Sequence, residues 1–270
     1  MSVRNIALIG YGGTARTVLQ ELERDPASAT RVSHVIVRPG KIAQYRPELP
    51  SSVAVVDSLA ALPSDVSLVV ETAGHSAVAA YGTDVLASGR DLGLISSGAL
   101  AHDALLEALK RAAQAHGRQL LVFNGAVAAI DAISSAMAAG LRKLCYTGTK
   151  PAAAWEGTPA AQSHDLHALR EPTVIFEGSA REVAIAYPKN ANVGATVALA
   201  GLGMDDTRVR LVADPQARVN RHRLEGESVL GKFEFETEAL PSPSNPKTSS
   251  STAYSIVAFL RGGPNALRLA

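Results

Sequence analysis

Ile6-Ala7-Leu8-Ile9-Gly10-Tyr11-Gly12-Gly13-Thr14-Ala15 joins a short apolar strand to a glycine-rich turn, and Val18, Leu19 and Leu22 continue it with helical spacing. The turn fits the pattern G-x-G-x-x-G/A through Gly10, Gly12 and Ala15. Each small residue has a separate task. Gly10 permits the tight turn, Gly12 lets the backbone approach a pyrophosphate, and Ala15 lets the helix pack closely on the strand. The free N–H groups of the first helical turn, around Gly13 and Thr14, would then receive the phosphates.

Working outward, apolar runs recur at 35–37, 53–56, 68–70, 92–95 and 120–123, with helical spacings between them such as Leu105, Leu106, Leu109 and Ala112. Strands alternating with helices predict a parallel sheet covered on both faces, a Rossmann dinucleotide-binding domain over 1–123. An acidic residue at the end of the second strand would favour NAD, but Val37 is followed by Arg38. A guanidinium there pairs with an adenosine 2′-phosphate or stacks on adenine, so the cofactor expected is NAD or NADP. Glu71-Thr72-Ala73-Gly74-His75 follows the fourth strand and Ser96-Ser97-Gly98-Ala99-Leu100 the fifth. Ligands of open α/β sheets bind beyond such strand ends, so both stretches, with Ala73 and Gly74, are placed at the cofactor. His75 reads equally as a surface cap of a helix.

After 124 the rhythm changes: a helix over 131–139, a strand at 144–147, a loop-like stretch over 149–167, strands at 173–176, 208–213 and 232–236, and a helix over 192–200. The alternation in Lys232-Phe233-Glu234-Phe235-Glu236 suits a sheet with one face on the core and the other on solvent or a subunit partner. A second α/β domain with a mixed sheet is expected over 124–247. A Pro- and Ser-rich run at 240–251 precedes a last helix, 253–261, stopped by Gly262-Gly263-Pro264.

With 26 basic and 25 acidic residues among 270, the net charge of +1 offers no field for nucleic acid or an anionic membrane, so small-molecule partners are expected. The single cysteine, Cys145, excludes an intrachain disulfide and fits a reducing compartment. No signal-peptide pattern or apolar run of about 18 residues appears, and a cytoplasmic chain is expected. No metal is expected either, since the histidine and cysteine spacings suit no metal cluster.

Hydride chemistry on an amino or hydroxy carbon needs a proton shuttle and donors for carboxylates. Among seven histidines, His222 stands apart in Asp214-Pro215-Gln216-Ala217-Arg218-Val219-Asn220-Arg221-His222-Arg223, where nearby arginines would lower its pKa and keep it neutral. A structural histidine is the alternative. Lys189, Lys247, Arg221, Thr248 and Ser249 are candidate carboxylate donors. Asn192 is a substrate-binding candidate that, paired with Asn190, reads also as a helix cap.

Several stretches together resemble the L-aspartate dehydrogenase family. They are Val70-Glu71-Thr72-Ala73-Gly74-His75, Ser97-Gly98-Ala99-Leu100, Gly125-Ala126-Val127-Ala128-Ala129-Ile130-Asp131-Ala132, Tyr146-Thr147-Gly148-Thr149-Lys150-Pro151, Ala154-Trp155-Glu156-Gly157-Thr158-Pro159, Asn190-Ala191-Asn192-Val193-Gly194-Ala195-Thr196, the His222 segment and Asn245-Pro246-Lys247-Thr248-Ser249. The resemblance implies oxidation of L-aspartate with NAD(P) to iminoaspartate, which hydrolyses to oxaloacetate and ammonia, with reductive amination in reverse. It implies His222 as the catalytic residue, Asn190 and the turn from Asn124 to Ala126 at the cofactor, a homodimer formed through the second domain, and a C-terminal helical segment, 248–270, that rejoins the first domain. Two positions depart from the family pattern: Thr72 stands where cysteine is common, and Ala128-Ala129 replaces a glycine pair. The runner-up readings are a homoserine dehydrogenase or dihydrodipicolinate reductase relative, and a non-catalytic NAD(P)-binding sensor.

Overall fold

The computed structural model describes residues 3–25, 28–242 and 245–262, without the side chains of 241–248. These fall into two compact units: one runs to Phe123 and resumes at Ala253, and the other spans Asn124–Thr252. Among the described residues no helix is long and apolar enough to cross a membrane.

The first unit is built from β1 (Arg4–Ile9), α1 (Gly13–Glu23), β2 (Thr30–Ile36), α2 (Ile42–Tyr45), β3 (Ala54–Val56), β4 (Val66–Glu71), α3 (His75–Ala87), β5 (Asp91–Leu94), α4 (Asp103–Ala115) and β6 (Leu120–Val122). Every pairing in its sheet is parallel, in the order β3-β2-β1-β4-β5-β6. The strand order therefore reverses between β1 and β4, which opens a crevice at their carboxyl ends. Runs such as Ile6, Ala7 and Leu8 and Leu68, Val69 and Val70 are fully buried because helices cover both faces.

The second unit contains α5 (Ile130–Ala138), β7 (Leu141–Pro151), α6 (Ala160–Ser163), β8 (Thr173–Ser179), α7 (Ala180–Ala186), α8 (Asn192–Ala200), α9 (Gly203–Asp206), β9 (Arg208–Asp214), β10 (Asn220–Ser228), β11 (Gly231–Ala239), β12 (Pro241–Ser242) and β13 (Asn245–Ser249). Five strands form a mixed sheet in the order β11-β10-β7-β9-β8; β7 and β9 run parallel and the other pairs antiparallel. One face carries α5, α7, α8 and α9. The other presents Lys143, Arg208, Arg210, Glu225, Glu227 and Glu234, tied by ion pairs such as Arg208–Glu177 and Arg223–Glu234.

α10 (Ser251–Arg261) belongs to the first unit, where Ala253, Ile256, Val257 and Leu260 pack with Ile6, Val18, Leu22 and Phe123. Thr30 donates its hydroxyl proton to the Leu260 carbonyl at 3.0 Å. Gly263 and Pro264, expected to stop this helix, lie outside the described residues, as does the rest of 263–270.

Three sequence expectations need correction. The stretch from 149, expected as loop, continues β7 to Pro151 and then forms a 3-10 turn at Ala152–Trp155 and α6. Gly148 and the polar Thr149-Lys150 disguise a central strand. The segment at His222, expected between strands, is itself β10 at the heart of the sheet. Its buried positions are Asn220, His222, Leu224, Gly226 and Ser228, so only one large apolar side chain marks the inner face. Finally, the run 240–251 contains the short β12–β13 pair.

Candidate functional site

At the β1–α1 turn, Gly10 has φ +87°, and a Cβ there would lie 2.7 Å from the Ala73 Cβ. Both the left-handed backbone and the close approach of the β4 end therefore demand glycine. Gly12 is the N-cap of α1, and a Cβ on it would meet nothing within 4 Å. The space above the turn is open to a ligand. Gly13, Thr14 and Ala15 form a first helical turn without an acidic side chain, which suits phosphate. A cavity of about 640 Å³ runs from this turn past Arg38, Tyr45, Thr72, Ala73 and Tyr81. A dinucleotide fits these residues: glycine backbone for the pyrophosphate, and an exposed guanidinium and tyrosine rings toward the β2 side.

Glu71 shapes the wall of this cleft. Fully buried at the end of β4, its Oε1 accepts the Ala73 and Gly74 N–H groups, both at 2.6 Å, and the Ser96 hydroxyl at 3.0 Å. The Ser96 N–H donates to Oε2 at 3.2 Å. Burial pushes its carboxyl above the ordinary range, and the donors pull it back. Thr72 donates its hydroxyl proton to the Ile9 carbonyl at 2.9 Å, closing β4 onto β1.

In the second unit, His222 is 4% exposed on β10. Its Nδ1 lies 2.8 Å from the Tyr146 hydroxyl and its Nε2 3.1 Å from Ser249 Oγ, which accepts from Asn220 Nδ2 at 3.2 Å. Burial, then the charge of Lys150, pushes the imidazole pKa down to about 4. The expected cause was the neighbouring arginines. The structure corrects this, because alternation turns Arg221 and Arg223 to the opposite face, where they pair with Asp214 and with Glu225 and Glu234. Lys150, nearly buried on β7, donates to Asn190 Oδ1 at 3.0 Å. Asn220 Oδ1 and Thr237 Oγ1 are buried without a partner among the described residues, and Thr237 sits opposite His222 on β11. Buried polar atoms left unpaired are costly, so this cluster suits a polar ligand.

The first unit thus brings together Gly10, Gly12, Gly13, Thr14, Ala15, Arg38, Ala73 and Gly74, and the second gathers His222, Ser249 and Asn190. Asn124 is exposed and Ala126 buried on the turn before α5. Lys189 is exposed on the 3-10 turn Pro188–Asn190, and Asn192 is the first residue of α8. The expected Asn190/Asn192 cap is absent: Ala191 is the N-cap, without a side-chain bond, and Asn190 serves Lys150. His75 follows the Gly74 N-cap as the first residue of α3. Ser96 and Ser97, expected to approach the cofactor, are buried at 3% and 0%, and Ser96 is engaged by Glu71. Lys247 and Thr248 lie on β13, and their side chains fall outside the described ones. The supporting bonds of Glu71 and the site residues Tyr146, Lys150 and Asn220 were missed; carrying the period-two pattern of β7 and β10 through the His222 segment puts the last three on its face.

Residues 131–263 match a family model described as aspartate dehydrogenase, C-terminal, and residues 10–123 match the homoserine dehydrogenase NAD binding domain. The chain is 45% identical to an L-aspartate dehydrogenase of Pseudomonas aeruginosa, covering 98% of this chain and 99% of that one. It is 41% identical to that of Cupriavidus taiwanensis, with the same coverage. Among solved structures, aspartate dehydrogenase from Thermotoga maritima shares the fold with a TM-score of 0.76 at 24% identity over 99% of each chain. Dihydrodipicolinate reductase from Paenisporosarcina shares it more loosely, with a TM-score of 0.55 at 12% identity over 96% of this chain and 94% of that one. With relatives of one name aligned along nearly its whole length, this chain belongs to the L-aspartate dehydrogenase family.

Proposed function

We propose that the chain oxidises L-aspartate with NAD or NADP to iminoaspartate, which water converts to oxaloacetate and ammonia, and that it runs the reverse amination. One observation carries this reading: a neutral buried imidazole, His222, shares a sheet face with a buried lysine, Lys150. The first is a base and the second a cation for a carboxylate, which are the groups an amino dicarboxylate requires. The bound nicotinamide supplies the acceptor for the Cα hydride.

The chain's own residues do the rest. In the first unit the turn of Gly10, Gly12, Gly13, Thr14 and Ala15 holds the pyrophosphate, Arg38 meets the adenosine end, and Ala73 and Gly74 serve the nicotinamide end; in the second, Asn124, Ala126 and Asn190 are the cofactor residues. Lys150 joins Lys189, Asn192, Lys247, Thr248 and Ser249 in holding the carboxylates. His222 takes a proton from the water that attacks the imine carbon and returns it as the amine leaves. The uncovered charged face of the second sheet supports a homodimer through that unit, and a single cysteine fits a reducing, cytoplasmic location. The more distant reductases share only the fold, and no observation favours their substrates or a sensor role.

Initial rates with L-aspartate, homoserine, malate and glutamate against both cofactors test the reading. L-aspartate alone should give rapid reduction, and His222→Ala should lose roughly 10²-fold or more in kcat with cofactor affinity kept. No turnover of L-aspartate at alkaline pH with either cofactor, or an unimpaired His222→Ala enzyme, sinks it.

A further inference from the structure

We propose that Tyr146 is a positioning residue for His222: its buried hydroxyl accepts the Nδ1 proton and leaves Nε2 as the ring nitrogen that acts as base. The inference rests on the reading of His222 as the base and goes beyond it in naming the working nitrogen.

The argument begins with the register. β7 pairs with β10 so that Gly148 faces His222 and Tyr146 faces Leu224. Alternation therefore sets Tyr146, Gly148 and Lys150 on the same face as His222. Tyr146 reaches back over Gly148: a Cβ at 148 would lie 2.7 Å from the tyrosine oxygen. Gly148 lacks a left-handed backbone, so the glycine is needed for space alone. The tyrosine and imidazole planes meet at 14° with centroids 6.1 Å apart, and both residues are under 5% exposed.

Counting protons allows two tautomers, and a base at Nε2 requires the one in which Nδ1 donates. A neutral imidazole has one N–H donor and one acceptor nitrogen. In that tautomer Ser249 Oγ, which receives the Asn220 amide proton, gives its own proton to Nε2. If Nε2 accepts, Nδ1 must donate, and the atom 2.8 Å from it is the Tyr146 oxygen. The chain of donation is then Asn220 to Ser249 to Nε2 on one side and Nδ1 to Tyr146 on the other. An orienting carboxylate would raise the basicity of the ring; a phenol kept protonated by burial orients it without adding charge.

The test uses full-length enzyme with ¹⁵N-labelled histidine, the His222 signals being assigned by their loss in His222→Ala. Wild type should show a protonated Nδ1 and an unprotonated Nε2. Tyr146→Phe keeps the stacked ring and should shift the proton to Nε2. Its kcat with L-aspartate should fall about tenfold, the worth of one neutral hydrogen bond, while KM and cofactor Kd stay within about twofold. Gly148→Ala, which displaces the hydroxyl from a different residue, should reproduce both changes and keeps the test open if the first variant folds poorly. A wild-type spectrum with Nε2 protonated, or wild-type kcat in both variants, overturns the proposal. An impaired His222→Ala beside an unimpaired Tyr146→Phe removes this inference alone, whereas an unimpaired His222→Ala removes the reading beneath it.

Discussion

At the scale of single residues, burial decides more than sequence neighbours do. Arg221 and Arg223 adjoin His222 in the chain, yet Lys150, on another strand, is the cation that acts on it. The sign of the pH effect follows. His222 has a lower pKa folded, about 4, than the 6.5 of an ordinary imidazole, so the unfolded chain binds the extra proton first. Stability from this group is complete above about pH 6.5 and declines as pH falls toward 4, by about 3 kcal/mol in all. Urea midpoints over that range should fall in wild type and fall less in His222→Gln; parallel curves would show that another group titrates. Arg38 makes a separate prediction in the same terms. Replacing it by Asp should raise KM for NADP at least tenfold and leave NAD little changed, read from initial rates with each cofactor. Equal effects on both cofactors would deny the guanidinium a role at the 2′-position.

At the scale of elements, the first six strands were legible because each carries a short apolar run, fully buried in the central β1 and β4 and half-buried in the edge strands β3 and β6. β10 was hidden for the opposite reason: its outer positions, Arg221, Arg223, Glu225 and Glu227, are charged, and its inner ones hold the polar groups of the candidate site. Function had displaced the pattern that reveals a strand. Likewise His222 was legible from its setting and the family resemblance, whereas Tyr146 and Lys150 become site residues only through the β7 register. The turn into α5 shows the converse. Ala129, where the family commonly has glycine, adopts φ +62°, the left-handed region that costs a residue with a Cβ about 1 kcal/mol. Ala129→Gly should therefore raise Tm by a few degrees, with calorimetry as the check. An unchanged or lower Tm would mean that the added unfolded-state freedom outweighs the relieved strain. Glu71→Gln should act the other way. The amide nitrogen must face one of the four donors that the carboxylate now accepts, costing about 1–3 kcal/mol and loosening the 73–74 turn. Weaker cofactor binding in fluorescence titrations, alongside the lower stability, is the expected result.

At the scale of the whole molecule, one unit holds a parallel sheet that ends in an open crevice and the other a mixed sheet that buries the candidate base His222. The charged outer face of the second sheet, with Arg208 and Arg210 sharing Glu177, offers both signs of charge to a second copy of itself. Light scattering should give twice the chain mass, and reversing Arg210 to Glu should lower it toward the monomer with raised salt sensitivity. A persistent dimer in that variant would move the interface elsewhere.

The return of α10 to the first unit has a consequence for synthesis. The cofactor half begins to emerge from the ribosome first, yet Ile256, Val257 and Leu260, which seal its core, emerge after the whole of the second unit. Its nascent sheet must wait, partly uncovered, through some 130 residues of other chain, a time of the order of ten seconds. The half translated first is thus the half completed last, and a fragment ending at 123 should expose apolar surface to a hydrophobic dye until a peptide spanning 251–262 is supplied.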